Sequence, residues 1–226
     1  MDGSASLQTA HLEGNPDGLY GARLIGSDLY AFTKTDHETF NVTKVPIDSN
    51  KTEIVGEFET IASLTNMIFV SKDESKLFLA ALNLDGGDTI DIIDAKTWKR
   101  TASHKADLAK IFEGAAFDAD NEVIYGIRNG DGGECELAAI NANTGKPASG
   151  DKTSIFEQFN CDQGKVACTL ADGLYTCIAA GHGSSDQQYV VHYDVKTTAW
   201  LRLPVDATKN LGNSAAVWFV ANDTEA

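Results

Sequence analysis

Residues 66–103 read NMIFVSKDESKLFLAALNLDGGDTIDIIDAKTWKRTAS, and this stretch decides the fold. Short apolar runs alternate with turns rich in Asp, Gly and Ser. Strands are expected at 66–72, 76–83, 88–94 and 97–103. The runs are too short, and too evenly broken by turn residues, for amphipathic helices. Four strands joined by tight turns make a meander, a sheet with one chain direction reversing at each step.

The same wording recurs outward in both directions. A strand, a polar turn and an aromatic-bearing strand appear as ARLIGSDLYAF at 22–32, FVSKDESKLFLAA at 69–81, AFDADNEVIYGI at 116–127 and ACTLADGLYTCIA at 167–179. The aromatics Tyr30, Phe78, Tyr125 and Tyr175 are 48, 47 and 50 residues apart. A second marker follows each: VPIDSNKT, DIIDAKT, AINANT and HYDVKT, led by Asp48, Asp94, Asn141 and Asp194. An Asx at the start of a turn hydrogen-bonds the backbone two residues on and favours a sharp reversal.

Two independent markers keeping one period across four copies point to a repeat architecture. A four-stranded antiparallel sheet every ~48 residues is the pattern of a β-propeller blade. The expectation is an all-β fold, a small β-propeller of four to five blades occupying residues 1–226, with repeats at 19–58, 66–103, 114–149 and 164–204. Residues 212–226 and the N-terminal segment, with a candidate strand at 4–13, are expected to close the ring; the alternative is a piece of a larger propeller. Only 104–113 and 152–159 have the makings of a helical turn. The segment TIDIIDAKTWKRTAS at 89–103, followed by GAAFDADNEVIYGI at 114–127, resembles the YVTN-type repeat of surface-layer propellers. That resemblance implies the fold and carries no catalytic residue across.

Composition limits the partners. Eighteen Lys and Arg against thirty-three Asp and Glu leave a net charge of −15, which repels phosphate backbones and anionic headgroups. No nucleic acid is expected as a partner. No apolar run approaches the ~20 residues that cross a bilayer, so no membrane insertion is expected. MDGSASLQTAHLEG at 1–14 lacks the apolar core of a secretory signal. It fits either a cytoplasmic protein or a mature secreted chain whose signal was replaced by an initiating Met.

The four cysteines favour secretion. Cys168 and Cys177 flank Asp172-Gly173, a two-residue hairpin signal. Counting outward from that turn makes them a directly opposed, non-hydrogen-bonded pair, the closer kind, within reach of a disulfide. In a meander of strands a to d, the b–c and d–a connections share one face. Cys135 ends the b–c loop of the third copy and Cys161 lies in the d–a loop after it, so this second pair also shares a face. Two sensible pairs indicate an oxidising compartment; four thiols, two of them filling strand positions, are the alternative.

No familiar catalytic string is present, neither G-x-S-x-G nor a P-loop, H-E-x-x-H or C-x-x-C. The b–c loops instead place acids on one face in every copy. These are Asp36 and His37, Asp85 and Asp88, Asp131 and Glu134, and His182 and Asp186, with Arg128 beside them. His104, in a d–a loop, is expected on the same face. Oxygen-rich, Gly-hinged loops suit a divalent cation such as Ca²⁺, with Asp85, Asp131 and His37 as candidate ligands. The plain alternative is that Asp-Gly pairs make good turns and loop acids stay solvated. Arg23, Asn66 and Asn213, in or beside first strands, are candidates for the central channel. Trp98 and Trp200 are expected to cover gaps between adjacent sheets, and His192 to be a framework residue.

The function these features favour is a secreted, acidic, non-enzymatic module presenting one loop face to a protein or carbohydrate ligand. The rival is a small propeller enzyme, a metal-assisted lactonase-like hydrolase or an isomerase or cyclase, acting at the channel.

Overall fold

The computed structural model describes residues 19–35, 39–46, 51–59, 67–81, 87–108, 115–129, 135–149, 151, 153–156, 167–180 and 188–204. Sixteen strands and no helix occur among them, grouped into four four-stranded sheets whose order follows the chain. The first sheet holds β1 (Leu19–Ile25), β2 (Asp28–Lys34), β3 (Thr39–Val45) and β4 (Glu53–Glu59). The second holds β5 (Ile68–Val70), β6 (Lys76–Ala81), β7 (Thr89–Asp94) and β8 (Arg100–Lys105). The third holds β9 (Ala116–Asp118), β10 (Val123–Asn129), β11 (Cys135–Asn141) and β12 (Thr153–Phe156). The fourth holds β13 (Ala167–Ala171), β14 (Leu174–Ala180), β15 (Gln188–Asp194) and β16 (Trp200–Pro204). The fold is a β-propeller, and each sheet is a blade. The expected closing strands, at 4–13 and 212–226, lie outside the described residues.

The turn chemistry explains the second repeat marker. Asp94 Oδ1 accepts from the N–H of Lys96 (3.0 Å) and Thr97 (2.7 Å) and from the Thr97 hydroxyl (2.8 Å). Asp194 Oδ1 accepts from Lys196 (2.8 Å) and Thr197 (3.0 Å), and Asn141 Oδ1 accepts from Asn143 N–H (3.1 Å). Four residues after each Asx the backbone turns left-handed, at Trp98, Gly145 and Thr198 with φ of 56°, 68° and 59°. The N–H there returns to the Asx carbonyl at 2.8, 2.9 and 2.9 Å.

The a–b and c–d turns then lock together. Ala95, Ala142 and Val195 donate to the carbonyls of Ser75, Glu122 and Gly173 at 3.0, 2.8 and 2.9 Å. In the second, third and fourth blades these turns therefore share one end, as the meander requires; the first-blade marker Asp48 lies outside the described residues.

The chain divides into two compact units, Met1–His104 and Lys105–Ala226. In the first, Phe32, Phe40, Val42 and Phe58 of the first blade meet Ile68, Leu77, Leu79, Ile93 and Trp98 of the second. Phe40 and Phe58 stack with centroids 5.4 Å apart and planes 2° off parallel. In the second unit, Val123, Tyr125, Ile127 and Leu137 meet Tyr175, Cys177, Val191 and Tyr193. The period-two alternation gives each sheet an apolar face that only a neighbouring sheet can bury.

Two expectations need correction. Residues 153–156 form the strand β12, not a helical turn: Thr153, Ser154 and Phe156 pair with Leu137, Glu136 and Cys135. Hydrophobicity alone does not separate a short β-branched run from one helical turn, and here an available strand edge decides it. His104 lies within β8, so it is a strand residue rather than a loop residue.

Candidate functional site

Of the residues nominated from sequence, Asp36, His37, Asp85, Asp131, Glu134, His182, Asp186, Asn66, Asn213 and Cys161 lie outside the described residues. Asp88 stands half-buried one residue before β7. Cys135 begins β11, and its side chain is outside the description. Cys168 and Cys177 are directly opposed and joined by a disulfide with Cα atoms 4.1 Å apart. The hairpin between them has the expected pair of positive φ values, 53° at Asp172 and 78° at Gly173.

The two nominated arginines both make contacts that hold strands together. Arg23 Nε donates to the Ile68 carbonyl and its Nη1 to the Ala22 carbonyl (2.7 Å), so it ties β1 to β5. Burial lowers its pKa. Arg128, 7% exposed, sits near the end of β10. Its Nη2 donates to Asp151 (3.1 Å), its Nε to Glu136 (3.4 Å), and Asp107 lies 4.0 Å from Nη1. Asp151 also accepts the Ala139 N–H at 3.1 Å. It stands in for a backbone acceptor between the Ile140–Pro147 bridge and β12. The arginine thus holds the irregular outer edge of the third blade in place.

Other polar groups are equally committed. Thr176 Oγ1 and His192 Nδ1 lie 2.9 Å apart across β14 and β15, which makes His192 the framework residue expected. Lys34 is buried with its ammonium over the rings of Tyr20 and Phe40, at 5.8 and 5.7 Å. Burial, with Asp118 nearby, pushes the Tyr125 hydroxyl up to about 12, and burial pushes Tyr175 further up. Both rings stay neutral and serve packing.

The first unit carries an open cleft of about 340 Å³, lined by Glu57, Phe58, Glu59, Trp98, Lys99 and Arg100. One wall is β4, the last strand of its sheet, which among the described residues pairs only with β3. The other is the c–d turn of the second blade. Trp98 is 6% exposed; its indole lies 5.4 Å from the Tyr30 ring and fills the space over Gly56. It covers the gap between two sheets as expected, whereas Trp200 is 44% exposed. Arg100 approaches the fully buried Asp91 at 3.5 Å. Glu57, Glu59 and Lys99 are exposed, and their side chains form no ion pair among the described residues. Sequence reasoning missed this cleft. The available signal was the Glu-x-Glu pair in a strand closing a repeat, which places two carboxylates on one side.

No protein-family model matches the chain, and no curated protein matches it. Solved structures do. A europium-containing methanol dehydrogenase is 13% identical with a TM-score of 0.52, over 85% of this chain and 43% of that one. Hydrazine synthase of Kuenenia stuttgartiensis is 15% identical with a TM-score of 0.50, over 89% of this chain and 53% of that one. A dipeptidyl aminopeptidase IV homologue from Bacteroides ovatus, itself assigned only provisionally, is 11% identical with a TM-score of 0.50, over 85% and 30%. The chain spans about half the length of the hydrazine synthase chain and less of the other two. At such identities the likeness shows the β-propeller fold alone.

Proposed function

We propose that this chain is a binding module, an acidic propeller that presents the cleft of its first unit and its acidic b–c loops to a protein or glycan partner in an oxidising, extracellular compartment. The observation that carries the reading is the cleft of the first unit. There Glu57, Glu59 and Lys99 bear charges that no described ion pair neutralises, beside the well-packed aromatics Phe58 and Trp98. Small-molecule and peptide sites combine a recess of roughly 300 Å³ or more with a few convergent polar groups. Elsewhere Arg23 and Arg128 are occupied in holding strands together. The Cys168–Cys177 disulfide supports the compartment. Repeats of the YVTN type, the loop residues Asp36, His37, Asp85, Asp131, Glu134, His182 and Asp186, and a divalent cation among them belong to the same proposal.

The test is a screen of immobilised protein against peptide and oligosaccharide libraries, beside the variant Glu57→Gln/Glu59→Gln/Lys99→Gln. Ligands held by the wild type and released by the variant are the expected result. Ligands held equally by both would move the site away from the cleft. Turnover of a lactone or ester panel, with no ligand retained, would overturn the binding reading in favour of the enzyme. Repeating the screen in calcium and in chelator tests the loop cation.

A further inference from the structure

The geometry points to β-strand addition on the edge of β4 that no described strand covers, with an extended peptide that alternates basic and uncharged residues as the occupant. This inference rests on the binding reading and names the partner of the same cleft.

The reasoning starts from register. β4 pairs with β3 as Thr39–Glu59, Phe40–Phe58, Asn41–Glu57 and Val42–Gly56, then slips at Val42/Thr43, leaving Val55 as the extra residue. The bulge bends the first half of β4, so the regular free edge is Gly56–Glu59. Along it every second residue turns its N–H and C=O away from β3, a ready template for another strand.

The side chains then set a pattern. Phe58 faces the core shared with the second blade, stacked on Phe40. Glu57 and Glu59 therefore project from the other side of β4, at the rim of the cleft that they line together with Phe58. A strand added at this edge would place alternate side chains beside the two glutamates, and the intervening ones in the cleft between Phe58 and Trp98. Positions opposite the glutamates call for Lys or Arg, because opposed charges across a strand pair attract. Positions entering the cleft call for uncharged residues, since Lys99 and Arg100 on its far wall repel cations and Glu57 and Glu59 at its rim repel anions. The chain's net charge of −15 draws in such a peptide. Main-chain hydrogen bonds supply affinity, and the alternating pockets supply choice.

The experiment titrates a capped lysine–valine alternating peptide, as long as β4, into isotope-labelled wild-type protein, with calorimetry for affinity. Shifts of the Glu53–Glu59 amides and of the Trp98 indole N–H are expected. Glu57→Gln/Glu59→Gln is expected to weaken binding roughly tenfold, the sum of two cross-strand ion pairs. Methylating alternate backbone nitrogens of the peptide should abolish binding in one of the two possible phases. Binding unaffected by methylation in either phase, or shifts confined to other strands, would overturn strand addition. A glutamate–valine peptide or an oligosaccharide that moves the same amides, where the lysine peptide does not, would overturn the strand proposal while the cleft keeps its binding role. If no ligand moves these amides while other library members bind elsewhere, both fall.

Discussion

Replacing Gly56 with alanine tests the packing on which the cleft depends. A Cβ at Gly56 would overlap Cγ and Cδ1 of Trp98 and lie 2.7 Å from its Cβ. Residue 56 is half-buried and its φ lies outside the left-handed range, so the conflict is one of space and not of backbone conformation. The flanking strand cannot yield without breaking its register with β3, so the indole must leave. A buried Trp removes roughly 200 Å² from water, worth about 5 kcal/mol at ~25 cal/mol per Å². A displaced indole that keeps half of that cover would cost about 2–3 kcal/mol. For a chain of this size that corresponds to a fall in Tm of roughly 5–10 °C. Urea unfolding followed by tryptophan emission should show the loss, with a red shift as Trp98 meets water.

The decisive comparison is a double-mutant cycle. Trp98→Ala alone should cost about 3–5 kcal/mol. Adding Gly56→Ala to it should cost nothing, or return about 0.5–1 kcal/mol because alanine suits a strand better than glycine. Two losses that simply add would show that the residues do not compete for one space. The account of the cleft wall would then be wrong.

Replacing Cys168 and Cys177 together with alanine should cost about 2–3 kcal/mol, set by the short loop they close, and should abolish the mass gain on reduction and alkylation that this pair gives. Arg128→Gln leaves Asp151 and Glu136 without their cation and should cost about 3 kcal/mol, as broken buried pairs do, and Arg128→Gln/Asp151→Asn should recover part of it; chemical denaturation measures both. Hydrogen bonds from Ser71 and Ser75 hold Asp73 at about 2, and those in the c–d turns lower Asp94 and Asp194. Carboxylates lowered in the folded state stabilise it fully above their unfolded value near ~4, and this is lost as pH falls towards 2. Asp94→Asn/Asp194→Asn keeps the turn acceptor without the charge, so its Tm should fall less steeply between those limits.

The blades were legible because their signals are local. Asx-x-x-Thr specifies the c–d turn through hydrogen bonds within five residues, and Asp172-Gly173 fixes the register that brings Cys168 to Cys177. The Arg128 hub was not legible. Its partners Asp107, Glu136 and Asp151 come from three separate segments, and Asp151 acts only because β12 starts late. The cleft was half legible: Trp98 was recognised as a cover between sheets, but which face Glu57 and Glu59 occupy depends on the bulge at Val55. A bulge changes side-chain parity without leaving a residue signature.

Turn and site are physically linked at Trp98. The hairpin requires a left-handed residue four positions after its Asx, and in the third blade that residue is Gly145. In the second blade the sequence places a tryptophan there, at a conformational cost of about 1–2 kcal/mol. The cost is offset because that conformation directs the indole across to Gly56 and Tyr30, where burial returns more than the turn loses. In the fourth blade Thr198 has the same backbone, and the next aromatic, Trp200, stays exposed. The turn alone therefore does not build a cleft. It needs an aromatic at the left-handed position and a glycine on the facing strand, and among the described residues Trp98 with Gly56 meets both conditions.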